Sequence, residues 1–100
     1  MDDTLKGLLL AFGRRVRELR QEQGFSQESF ADKCGVHRTF MGTIERGESN
    51  LSFQNIVKVA ETLGVSLSVL FTDLESAARK RGGAVPTVSP KKRDPGARRL

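Results

Sequence analysis

Residues 27–46 set the narrowest limits on what this 100-residue chain can fold into. They read Gln-Glu-Ser-Phe-Ala-Asp-Lys-Cys-Gly-Val-His-Arg-Thr-Phe-Met-Gly-Thr-Ile-Glu-Arg. With Gln27 as the first of twenty positions, Ala31 is fifth, Gly35 ninth, Met41 fifteenth and Ile44 eighteenth. Two short helices that cross closely need a small side chain where they touch, and Ala31 supplies it. The turn between them needs a residue at ease with positive φ, and Gly35 supplies that. Met41 and Ile44 recur at a three-residue step, so one face of the second helix can plug into a core. The spacing predicts a helix-turn-helix.

The opposite face of that second helix carries Arg38, Thr39, Gly42, Thr43 and Arg46. An α-helix fits the major groove of DNA, where an arginine can donate two hydrogen bonds to guanine O6 and N7. Thr39 and Thr43 can offer a hydroxyl to a base edge or a methyl group to thymine. Gly42 is expected to leave room for close approach of the backbone to the groove floor. A solvated polar face is the plain alternative, and the surrounding motif argues against it.

The rest of the chain reads as further helices. Leu5, Leu9, Phe12, Val16 and Leu19 form an apolar stripe that predicts a helix over residues 5–23, closed by Gly24. Ser26 suits the N-cap of the helix ending at Cys34, and the next helix is expected over residues 37–46, stopped by Gly47. Ser52 can cap a helix over 53–63 with Phe53, Ile56, Val57, Ala60 and Leu63 inward, and Gly64 ends it. Ser66 can cap a short fifth helix on which Leu67, Leu70, Phe71 and Leu74 line up. That set closes the core or forms a two-fold dimer contact. Its apolar surface exceeds what a short terminal helix needs, which favours the dimer.

Charge divides the chain. Residues 1–74 hold nine Lys/Arg against ten Asp/Glu, whereas residues 75–100 hold eight Lys/Arg against two acidic residues and all three prolines. The net charge of +5 therefore belongs to the C-terminal part, and a DNA-binding reading of the body rests on where its charges sit. Residues 75–100 are expected to form a flexible basic tail, and residues 1–74 the folded domain. The Arg79-Lys80-Arg81, Lys91-Lys92-Arg93 and Arg98-Arg99 clusters are either solvated or in non-specific contact with phosphates.

Other classes find little support. No apolar run approaches a membrane span, and the acidic start Met1-Asp2-Asp3 is unlike a secretory signal. Cys34 is the only cysteine and His37 the only histidine, so neither a disulfide framework nor a metal site is expected, and a reducing cytoplasm is the simplest setting. Cys34 reads as a small buried apolar residue, and His37 as a helix cap or phosphate neighbour. No paired acid and base, phosphate loop or activated nucleophile points to an enzyme, and no cofactor is implied.

Several strings resemble the XRE-type, phage-repressor-like helix-turn-helix family: Arg-Glu-Leu-Arg, Gly-Phe-Ser-Gln-Glu-Ser-Phe-Ala, Gly-Val-His-Arg-Thr-Phe, Ile-Glu-Arg-Gly and Ala-Glu-Thr-Leu-Gly-Val-Ser-Leu. The resemblance covers about residues 12–71. Within the family, His-Arg-Thr-Phe, Ile-Glu-Arg-Gly and Asn-Leu-Ser most resemble the small controller proteins of restriction-modification systems, which are dimeric regulators of their own operon. The basic tail is not a standard part of that subgroup.

The resemblance implies an all-α fold: a compact five-helix DNA-binding domain followed by a disordered basic tail. It implies base contacts by Arg38, Thr39 and Thr43. Gln27, at the start of a helix whose dipole favours anions, matches a phosphate-gripping position. Arg46, Ser49, Asn50 and Asn55 match phosphate-facing positions, and His37 is expected beside them. Arg20 and Glu45 match a partly buried ion pair. Residues at Gly42 and Thr43 depart from other members, so no target sequence carries over. The expected partners are an operator in double-stranded DNA and a second copy of the chain, with no effector pocket legible. The alternative is a protein-interaction module of the antitoxin kind, whose tail wraps a partner and folds on it.

Overall fold

The computed structural model describes residues 2–80, which form six helices and no strands. They are α1 (Asp3–Glu22), α2 (Gln27–Cys34), α3 (Arg38–Glu45), α4 (Phe53–Leu63), α5 (Leu67–Leu70) and α6 (Leu74–Lys80). Residues 81–100, where most of the expected tail falls, lie outside the described residues.

Side-chain caps define where the helices begin. Asp2 accepts from the backbone N–H of Leu5 at 2.8 Å, so α1 starts two residues earlier than its apolar stripe indicates. Ser26 and Ser29 form a reciprocal capping box at the start of α2, and Ser52 and Ser66 cap α4 and α5. His37 precedes α3 rather than opening it, and its Nδ1 accepts from the Thr39 N–H at 3.1 Å. Gly35 ends α2 at φ 75°, a conformation any other residue would adopt at a cost.

One core unites the first five helices. Phe12, Val16 and Leu19 of α1 meet Phe30 and Ala31 of α2, Met41 and Ile44 of α3, Val59 and Leu63 of α4, and Leu70 of α5. Phe71 stacks on Phe12 with ring centroids 5.6 Å apart. Gln23, just past α1, donates from Nε2 to the carbonyl of Leu63 at 2.8 Å and so ties the ends of α1 and α4 together.

Two readings need correction here. Phe53, expected inward, is 66% exposed, because it occupies the first position of α4 and the core is reached only from Ile56 onward. Residues 75–80, expected in the tail, belong to α6, which packs on α1 through Ala78 and Ala11 with Leu8 and Leu74 beside them. The charged residues Arg79 and Lys80 disguised this helix, because its packed face amounts to Leu74 and two alanines, Ala77 and Ala78.

Candidate nucleic-acid interface

The position of α3 is set by a buried ion pair. Arg20 Nε donates to Glu45 Oε2 at 2.7 Å, and Arg20 Nη2 donates to Glu45 Oε1 at 3.1 Å. The remaining arm, Nη1, donates to the carbonyl of Phe25 at 2.8 Å. The two side chains are 9% and 4% exposed, so neither charge is left to water. Gln27 adds a third bond, from Nε2 to Glu45 Oε1 at 3.1 Å. One carboxylate therefore joins α1, the start of α2 and the end of α3. Such a group is stable under burial only when its lone pairs are used, as they are here.

Glycine brings α1 and α3 together. A Cβ on Gly13 would lie 2.3 Å from the carbonyl oxygen of Ile44 and 2.6 Å from that of Glu45, so only glycine allows the contact. Gly47 does the same from the other side: at φ 73°, its Cβ would meet the Leu10 Cα at 2.7 Å. Gly13 was missed from sequence. Its signal was present, since a glycine inside a helix costs about 1 kcal/mol and calls for a packing reason.

Held in this way, α3 turns its N-terminal end outward. Arg38 and Thr39 are exposed, and Arg38 Nη1 lies 3.5 Å from Glu28 Oε1 of α2. His37 is exposed as well; with Nδ1 accepting from Thr39, its Nε2 is left to face solvent. Thr43 is half-buried, and its hydroxyl donates to the Phe40 carbonyl at 2.7 Å and is hydrogen-bonded to the Ser49 hydroxyl. Thr43 thus spends its only proton inside the protein, so toward a base it can offer its methyl group but no donor. Ser49 is correspondingly the donor to Thr43, which ties the loop after α3 back to that helix.

Gly42 does not open a gap toward the groove. It is buried beneath two long side chains: an added Cβ would lie 3.1 Å from Arg46 Nη1 and 3.5 Å from Gln27 Oε1. The structure thus brings Gln27 and Arg46 together over Gly42, with Arg46 Nε also 3.2 Å from Glu48 Oε2. Asn50 is exposed in the loop, and Asn55 is half-buried in the first turn of α4. The partner Glu28 had no sequence signal, because its pairing depends on how α2 and α3 cross, whereas Glu48 pairs locally, two residues after Arg46.

The apolar set proposed for a dimer contact is divided. Leu70 is fully buried within the chain, since α5 is a single turn and this leucine closes the core. Leu67, Phe71 and Leu74 are half-buried against the same core, and neighbouring Val69 is 42% exposed. Cys34 is buried, and burial raises its pKa, opposed by a hydrogen bond from Thr62 and the charge of Lys58. Among the described residues, no three His, Cys, Asp or Glu side chains are placed to hold a metal. No single helix there is long and apolar enough to cross a membrane.

Residues 16–70 match the family described as helix-turn-helix. The control protein C.MunI of Mycoplasma sp is 39% identical over 72 residues, covering 71% of this chain and 97% of that protein. The control protein C.BamHI of Bacillus amyloliquefaciens is 40% identical over 75 residues, covering 72% and 93%. Among solved structures, the restriction-modification controller protein C.AhdI from Aeromonas hydrophila superposes with a TM-score of 0.61 at 44% identity, covering 63% of this chain and 96% of that one. The chain belongs to the XRE-type helix-turn-helix family of DNA-binding transcription regulators, and it is similar to controller proteins within it. Its relatives are regulators rather than enzymes.

Proposed function

We propose that this protein binds a near-palindromic operator as a homodimer in the cytoplasm, with α3 in the major groove of each half-site. The observation that carries this reading is the pairing of an exposed Arg38 and Thr39 with a helix fixed from beneath by the buried Arg20–Glu45 pair. A reading head discriminates bases only if it is held rigidly, and here the charged pair and Gly13 hold it. Arg38 and Thr39 contact bases, and the Thr43 methyl group contacts thymine. Gln27, His37, Arg46, Asn50 and Asn55 face the backbone, and Ser49 stands among them with its hydroxyl engaged by Thr43. Gln27 keeps one amide hydrogen for a phosphate while the other serves Glu45.

The second copy docks on the half-buried edges of Leu67, Phe71 and Leu74 together with Val69, while Leu70 supports them from inside. Similarity to proteins named as controllers favours regulation of a restriction-modification operon. Selection of bound duplexes from random DNA tests this: an inverted repeat with half-sites about one helical turn apart is expected. Recovery of a single asymmetric site, or of no preferred sequence, would overturn it.

A further inference from the structure

Arg38 has a companion that the DNA reading does not use. Its Nη1 lies 3.5 Å from Glu28 Oε1, across a shallow groove of about 650 Å³ between α2 and the start of α3. Asp32 and His37 line the same groove. Glu28 stands one residue after Gln27 in the first turn of α2, the end that the proposed reading turns toward phosphates, where an anion would oppose the backbone of DNA. Both side chains of the pair are well exposed, at 64% and 74%, so the pair does little for the fold and either partner can be changed without unfolding the domain.

We propose that Glu28 is a specificity-determining residue: it withholds Arg38 from phosphates and leaves it to the base edge. This rests on the reading of α3 as the base-reading helix. Phosphates are present on every sequence, so an arginine free to reach them strengthens all complexes alike. Placed beside Glu28, Arg38 must give up a carboxylate to take a phosphate, and that phosphate is itself repelled by Glu28. Guanine offers two acceptors to the guanidinium fork without a full negative charge, so the exchange favours the correct base. Glu28 thereby converts a general attraction into a choice.

The test compares wild type, E28Q, R38A and the double variant on the duplex recovered by selection and on a random-sequence duplex of the same length. E28Q should tighten the random duplex about two- to fivefold more than the selected one, the scale of an exposed pair. It should also steepen the salt dependence on random DNA. In the R38A background E28Q should shift both duplexes equally, and thermal melting should remain that of wild type throughout. A specificity ratio unchanged by E28Q, or changed equally with and without Arg38, overturns the role of Glu28. R38A leaving base preference intact overturns the reading of α3 itself, and the role of Glu28 with it.

Discussion

Arg20 and Glu45, twenty-five residues apart, meet through two hydrogen bonds of 2.7 and 3.1 Å in a setting closed to water. The pair links the first helix to the far end of α3, and Gln27 shares its carboxylate. Arg20→Ala or Glu45→Ala leaves a buried charge alone and should cost about 3–5 kcal/mol. Denaturant titration measures this. Arg20→Met with Glu45→Leu should recover most of the loss, and failure to do so would mean the pair stabilises the fold by more than mutual neutralisation.

Arg38→Ala should weaken the selected duplex by about 1–3 kcal/mol and relax preference at one position of each half-site, while random DNA is affected far less. Arg46→Ala, by contrast, should weaken all sequences alike and lower the salt slope by about one. Equal losses for the two variants on both duplexes would count against dividing them into base reader and backbone contact.

The two glycines of the adjoining helices should respond in opposite ways to the same change. Gly13→Ala forces a methyl group onto the Ile44 carbonyl, an overpacking cost of up to about 3 kcal/mol that outweighs about 1 kcal/mol of helix propensity. Gly42→Ala crowds only the flexible end of Arg46, at 3.1 Å, and makes ordinary contact with Gln27 Oε1 at 3.5 Å, so stability should hold or rise by as much as about 1 kcal/mol. Melting temperatures of the two variants, taken side by side, decide the matter.

Burial raises the pKa of Cys34 above the ordinary thiol value of 9.0. The folded state then keeps the proton over a range in which the unfolded chain has lost it. This stabilisation is complete below about the ordinary value and is lost as pH rises through the folded pKa. Wild type should accordingly show a steeper alkaline fall in stability than Cys34→Ala, with no difference between their slopes near neutrality. The native thiol should also resist alkylation until the domain unfolds.

Removal of residues 81–100 takes away six Lys/Arg and leaves α6 in place. If those charges touch phosphates, the slope of log K against log salt should flatten with sequence preference unchanged. A cut made earlier, before Ala78, should also destabilise the domain, because Ala78 is fully buried against α1. Comparing the two truncations separates the contribution of charge from that of packing.

The helix-turn-helix was legible because its demands are local. Ala31, Gly35, Met41 and Ile44 announce themselves by spacing, and the capping serines by their place before an apolar run. What escaped notice depends on how elements cross. Nothing in the sequence around Arg38 marks Glu28 as its neighbour, and the roofing of Gly42 requires knowing that Arg46 folds back along its own helix. Leu70 looked like surplus apolar surface because the length of α5, a single turn, cannot be read from hydrophobic spacing. The face of α6 was hidden by its size, two alanines and a leucine among charges.

The two sides of α3 answer to different masters. Met41, Ile44 and Glu45 are committed to the core and the buried pair, whereas Arg38 and Thr39 are exposed and take no part in either. On the proposed reading, a lineage of such proteins can therefore exchange the outward residues one at a time and acquire new targets without passing through unfolded ancestors. The glycine at position 13 secures that freedom from the neighbouring helix: while it keeps the backbones locked together, the vocabulary of the outer face is open to revision.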